Sequence, residues 1–259
     1  KSTRKEVIEA IDRLSAIKDQ ELSPAERVRR EAELKRAALE KILTLSDLET
    51  RGLRLRVAGT ADIGDAFVPL REDLVTRLDG YGDYFAGMKR VLKNTVALDD
   101  IQKLAGQFKD WRDSTYNPET RKAAEFVLSF QNRDALKTAD QRLIKIGSDL
   151  RRHKVLKSKI EIWQSTLMRA AQNLKQAHQL NDQALEILAG YIPRQIEEEM
   201  TPAQTMSTAD ADEQPAAGDG LPITEPAPTI SDLIEGSVAK IREAYAGFIE
   251  LATLGQRTK

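Results

Sequence analysis

Few residues in this chain have the types and spacing that chemistry requires. Cysteine is absent, which removes disulfides, thiolate metal ligation and a cysteine nucleophile. The two histidines are His153 and His178. A di-iron helical bundle needs Glu-x-x-His pairs on facing helices, but Leu150 and Lys175 stand three residues before these histidines. Asp149 and His153 are four apart and share a helix face, a spacing that serves equally for a surface contact. Asp79-Gly80-Tyr81-Gly82-Asp83 has the outline of a calcium loop. Its twelfth position is Arg90, where an EF-hand places a bidentate glutamate. The phosphate-binding loop, the dinucleotide fingerprint, the HExxH zinc helix and the serine nucleophile elbow are all missing. The sequence therefore predicts no catalytic, cofactor-binding or metal-binding residue and no cofactor, and the chain is not expected to be an enzyme.

Arg151, Arg152, Lys154, Lys157 and Lys159 form the densest basic cluster. It is either a contact for an anionic partner or a solvated turn whose arginines counter a helix C-terminus. No aromatics interleave with it and the net charge is −1, so nucleic acid is not expected as a partner. Trp111 and Trp163 fall on apolar seams and read as core. Asn181 interrupts such a seam. A polar residue there either fixes register or marks a place where the face turns outward. Tyr81, Tyr84 and Phe85, among Gly80, Gly82 and Gly87, are where a small-ligand pocket would be sought.

These residues need long helices to position them. Val7, Ile8, Ile11, Leu14 and Ile17 predict a helix over 3–20. Ser23-Pro24-Ala25-Glu26 is a capping box with proline in the first turn. It starts a second helix to about Val57 that should bury Leu34, Ala38, Ile42, Leu45 and Leu48. Gly59, Asp62 and Gly64 mark a turn. Leu70, Leu74, Leu78, Tyr81, Phe85, Met88 and Leu92 keep a coiled-coil rhythm on a third helix. Ile101, Leu104, Phe108 and Trp111 define a fourth, over 98–114. Asn117-Pro118-Glu119 predicts the start of a fifth, over 118–152, with a break or kink near Gln131-Asn132 to reconcile two stripes. Heptad spacing from Leu156 through Trp163, Ala170, Ala177 and Ala184 to Leu188 predicts a sixth over 155–199. Ile234, Val238, Ile241, Tyr245, Phe248 and Ala252 predict a last helix over 230–254.

Residues 201–229 differ in kind, being rich in Pro, Ala, Thr, Asp and Gly with little to bury, and read as a flexible linker. Between Gln195 and Ala239 there are ten acidic residues and no Lys or Arg, leaving +9 on the remainder. The expected organisation is a helical bundle over 1–200, the acidic linker over 201–229, and a C-terminal helix over 230–259 docking on the bundle or a partner. With 41% hydrophobic, 31% charged and 5% aromatic residues, the composition fits solvated helices around a real core. No run approaches the roughly 18 apolar residues of a membrane span. The chain opens at Lys1 without methionine and both ends are basic, as are the flanks of a membrane anchor, here one outside residues 1–259, and as are ordinary helix ends.

Phe108-Lys109-Asp110-Trp111-Arg112, Tyr116-Asn117-Pro118-Glu119, Phe126-Val127-Leu128-Ser129-Phe130-Gln131 and Leu136-Lys137-Thr138-Ala139-Asp140-Gln141-Arg142-Leu143 carry one resemblance. This stretch, within 100–190, is similar to helical segments of uncharacterised exported proteins of small-genome bacteria. The resemblance implies an extracytoplasmic location and a signal peptide or anchor outside the chain, and supplies no activity. The reading is an all-α, elongated antiparallel helical bundle with coiled-coil-like seams and a tethered C-terminal helix. A non-enzymatic structural or interaction protein is expected, scaffold-like and surface-associated, meeting a protein partner or itself through apolar helix faces. The alternatives are a helical sensor or small-ligand-binding domain of a membrane-anchored protein and, for location, the cytoplasm.

Overall fold

The computed structural model describes residues 2–16, 23–152, 157–192 and 227–256, and among these the chain is all-α with no strand. Seven helices follow in order: α1 (Ser2–Ser15), α2 (Pro24–Ala58), α3 (Val68–Asn94), α4 (Leu98–Trp111), α5 (Asn117–Arg152), α6 (Lys157–Ala189) and α7 (Ile230–Gln256). The acidic linker expected over 201–229 lies outside the described residues, apart from its last three positions.

Local chemistry starts α2 as expected. The Ser23 hydroxyl accepts from the Glu26 N–H while the Glu26 carboxylate accepts from the Ser23 N–H, and Pro24 fills the first turn. Hydrogen bonding to Ser23 holds the Glu26 carboxyl below its ordinary value. After α2, Asp62 and Gly64 take positive φ of 53° and 74° to make the turn.

α2 differs from expectation in the face it buries. Leu48 is 50% exposed, and Leu34, Ile42 and Leu45 are only half-buried. The core stripe is instead Leu39, Leu43, Ser46, Thr50, Leu53 and Val57. Thr50 belongs to it because its hydroxyl finds partners, lying 2.9 Å from the Tyr116 hydroxyl and donating to the Ser46 carbonyl. Beside it, buried Asp47 accepts from Arg51 and Lys89.

α3 follows its predicted seam, with Leu70, Leu74, Leu78, Tyr81, Phe85 and Leu92 buried. It runs unbroken through Asp79–Asp83, where Asp79 pairs with Arg54 of α2. A side chain at Gly80 or Gly82 would meet nothing within 4 Å, so both glycines cost helix propensity without a packing reason. Gly80→Ala and Gly82→Ala should each stabilise the protein by about 1 kcal/mol, measured as a higher urea midpoint.

Asn117 does not cap a new helix. α4 and α5 are joined by a π-helical turn, Arg112–Tyr116, in which the Asn117 N–H donates to the Arg112 carbonyl. A proline inside a helix removes a hydrogen bond and clashes with the carbonyl four residues back. The wider turn before Pro118 relieves both conflicts, so the chain stays helical from Leu98 to Arg152. Of the break or kink expected near Gln131-Asn132, the break is absent. α5 is continuous and turns Asn132 inward, where polar partners receive it. The sixth helix ends earlier than predicted, at Ala189. Gly190, Tyr191 and Ile192 close it with tightened i→i−3 bonds to Ile187, Leu188 and Ala189. Pro193 then disfavours helical backbone at the residue before it.

The helices pack as two bundles that share α5. α2, α3, α4 and the first half of α5 enclose one core, whose aromatic centre is Phe85 with Phe108, Phe126 and Phe130. The second half of α5 packs with α6 and α7 around Leu136, Ala139, Ala170, Leu174, Ala177, Ile241, Ala244 and Phe248. The top of the α6–α7 pair, at Ala184, Leu188, Ile230 and Leu233, closes onto the first core. In its middle α5 is therefore buried nearly all round, through Ala123, Glu125, Phe126, Val127, Ser129, Phe130 and Asn132. This 36-residue helix spans about 54 Å and couples the two cores. α7 docks along α6 with small residues between them: a Cβ at Gly247 would lie 3.5 Å from that of Ala170. α1 packs on α2, where Lys41 pairs with Glu6 at 2.6 Å.

Candidate functional site

Asn181 is 1% exposed and lies in the core. Its Oδ1 accepts from Asn132 Nδ2 at 2.8 Å, the same Nδ2 reaches Ser237 Oγ at 2.8 Å, and Ser237 donates to the Ala177 carbonyl at 2.8 Å. One residue from each of α5, α6 and α7 thus makes a buried polar layer where the two cores meet. A shift of any helix by one turn would leave these groups without partners, which costs more than forming their bonds gains.

Of the basic cluster, only the side chains of Arg151 and Arg152 fall among the described residues. Arg151 and Arg152 are exposed on the last turn of α5, where Arg151 Nε donates to the Gly147 carbonyl. Lys154 lies outside the described residues, as do the side chains of Lys157 and Lys159 at the start of α6. A different cationic cleft forms where Arg36 and Glu40 of α2 meet Lys89, Arg90 and Lys93 of α3, with a volume of about 550 Å³. These residues are too far apart in sequence for spacing alone to assemble them.

The region around Tyr81, Tyr84 and Phe85 is a packed aromatic cluster and not a pocket. Tyr84 stacks on Trp111 with centroids 3.8 Å apart, and Phe85 meets Trp111, Tyr116 and Phe108 edge-on at 5.7, 5.6 and 6.3 Å. Burial pushes the Tyr81, Tyr84 and Tyr116 hydroxyls above the usual phenol value. His178 Nε2 lies 2.8 Å from Asp140 Oδ2, a boundary contact between α6 and α5. His153 is outside the described residues. Among the described residues no three His, Asp or Glu side chains gather as a metal cage.

A second feature escaped the sequence reading. Beside the π-helical turn, the start of α5 and the facing ends of α6 and α7 enclose a cleft of about 520 Å³. Its walls include Asn117, Arg121, Lys122, Glu125, Ile187 and Tyr191. Lys122 is already engaged, pairing with Glu119 at 2.8 Å and lying 5.4 Å from the centre of the Tyr191 ring. Glu125 is 6% exposed, and among the described residues its carboxylate has no hydrogen-bond donor. Burial raises its pKa, against the smaller opposing pull of Arg121 and Lys122. The available signal was Glu125 itself, one charge set inside the apolar run Ala123-Ala124-Glu125-Phe126-Val127.

A carboxyl whose pKa is raised on folding favours the native state below its unfolded pKa, and that contribution is lost as pH rises through the folded value. Glu125→Gln should therefore unfold at a higher temperature than the parent at pH 7. The gap should close as pH falls below the ordinary glutamate range, as thermal melts at several pH values would measure.

No family model, curated protein or solved structure matches this chain.

Proposed function

We propose that this is a non-enzymatic helical interaction protein that works as a rigid, elongated spacer carrying a sticky arm. The observation that carries the reading is α1. Among the described residues none of its side chains is buried, and Ile8 and Ile11 remain 55% and 46% exposed. An amphipathic helix whose apolar stripe stays partly exposed leaves that part for another helix. The remaining surface of α1 sets Arg4, Lys5 and Arg13 against Glu6, Glu9 and Asp12, so two such arms meet without net repulsion. A second copy of the chain is accordingly the proposed occupant. The two cores away from the arm are filled, which suits a spacer. In this reading the protein stands on an extracytoplasmic surface, as its sequence resemblance implies, although no described helix is long and apolar enough to cross a membrane.

Sedimentation velocity over a range of concentrations tests the arm. Mass should rise with concentration, and Ile8→Glu with Ile11→Glu should hold the chain monomeric with stability changed by no more than about 0.5 kcal/mol. A parent chain that stays monomeric throughout, or association indifferent to these substitutions, contradicts the reading. One observation favours a second reading, a small-ligand-binding bundle: the cleft at Glu125.

A further inference from the structure

We infer that the cleft at the junction of α5, α6 and α7 binds a small zwitterion of the amino-acid type, its ammonium on Glu125 and its carboxylate on Arg121. Glu125 is the reason to expect a ligand. Glu125 is 6% exposed, its oxygens reach solvent only through the cleft, and a carboxylate so largely buried with no donor among the described residues is costly. It is turned to a cleft of about 520 Å³, with room for a ligand. An ammonium supplies three donors and the compensating charge at once.

Arg121 is the reason to expect a second charge. It lines the same cleft four residues before Glu125, is exposed, and forms no ion pair among the described residues. Side chains at i and i+4 stand about 5–6 Å apart at Cβ, and both charged tips are mobile enough to close on neighbouring groups. The cleft therefore presents one anion and one cation at a spacing a single amino-acid head can bridge. Lys122 does not compete for that carboxylate, since Glu119 and the Tyr191 ring already hold it. Asp113 does not compete for the ammonium on equal terms, because it is exposed and accepts from Asn117 at 3.2 Å. Ile187, Ile230, Pro118 and the Tyr191 ring supply an apolar wall for the rest of the ligand.

Proton bookkeeping gives a signature that simple surface attraction lacks. Burial raises the Glu125 pKa, and an arriving ammonium favours the ionised form. At a pH near that raised value, binding should release a proton to the buffer.

The experiment is isothermal titration of the whole chain with leucine, and separately with butylamine and isovalerate as single-charge probes, each in two buffers of different ionisation enthalpy. Leucine is expected to bind saturably with buffer-dependent heat, at least about tenfold tighter than either single-charge probe, a difference of about 1.4 kcal/mol. Glu125→Gln should abolish the buffer dependence and weaken leucine at least about tenfold, and Arg121→Gln should reduce leucine to the level of butylamine. Circular dichroism of both variants confirms that they fold. Leucine failing to bind at millimolar concentration, binding no tighter than butylamine, or binding indifferent to Glu125→Gln each overturns the inference. None of these outcomes bears on self-association through α1, which is read separately.

Discussion

Phe85→Ala is expected to lower unfolding free energy by about 3–5 kcal/mol, read from urea denaturation followed by Trp111 fluorescence. Phe85 is completely buried. Its ring is ringed by Tyr84, Phe108, Trp111 and Tyr116 at centroid distances of 5.6–6.3 Å. Truncation leaves a cavity whose walls belong to α3, α4 and the π-helical turn, and stacked rings on helices cannot collapse far to fill it. Tyr116 is the coupled risk, since its hydroxyl also serves Thr50 of α2. Val91→Ala, one and a half turns along the same helix and 53% exposed, is the matched control and should cost less than about 0.5 kcal/mol. If the two substitutions proved equally mild, the aromatic cluster would not be a core.

The next largest effect is expected at the polar layer. Asn132→Leu removes the donor to Asn181 Oδ1 and Ser237 Oγ, leaving the buried Asn181 oxygen without that partner while Ser237 keeps its bond to the Ala177 carbonyl. The cost should be about 1–3 kcal/mol. Replacing all three polar members together, Asn132→Leu with Asn181→Leu and Ser237→Ala, should restore most of that stability, because no partner is then left unsatisfied. What the triple variant should lose is uniqueness. With uniform apolar seams, α7 can slide a heptad along α6, and amide resonances of both helices should broaden or double. A triple variant as destabilised as the single one, with sharp single resonances, would show that the layer does not set register.

The legible part of this fold was the part written in spacing. α3 is the clearest case: its seam from Leu70 to Leu92 reads directly as the buried face, because aliphatic and aromatic side chains occupy every inward position. α2 misled because Ser46 and Thr50 occupy inward positions, and an apolar stripe cannot be traced through a residue such as Thr50, which enters a core only when a hydroxyl across the bundle receives it. Asn117-Pro118 misled for a related reason. The pair is an excellent helix start in isolation, and only the surrounding packing of Trp111 and Tyr116 makes a continuous helix with a π turn the better solution. Asn132 read as a break or kink because its partners, Asn181 and Ser237, lie far along the chain. The Glu125 cleft was hidden most completely. It is assembled from three helix ends, and neither the burial of Glu125 nor its want of a donor can be seen until α6 and α7 are placed against α5.

The claim on which the rest depends is that α5, α6 and α7 of a single chain zip into one antiparallel three-helix unit. Because the chain has no cysteine, a single engineered pair tests it cleanly. Arg169 of α6 and Glu250 of α7 form an ion pair at 2.9 Å across the α6–α7 seam. In an Arg169→Cys, Glu250→Cys chain at high dilution, a short thiol cross-linker should join the two positions within one molecule, shown by peptide mass mapping. Cross-links found only between chains, or none at all, would mean that α7 belongs elsewhere and would contradict the account.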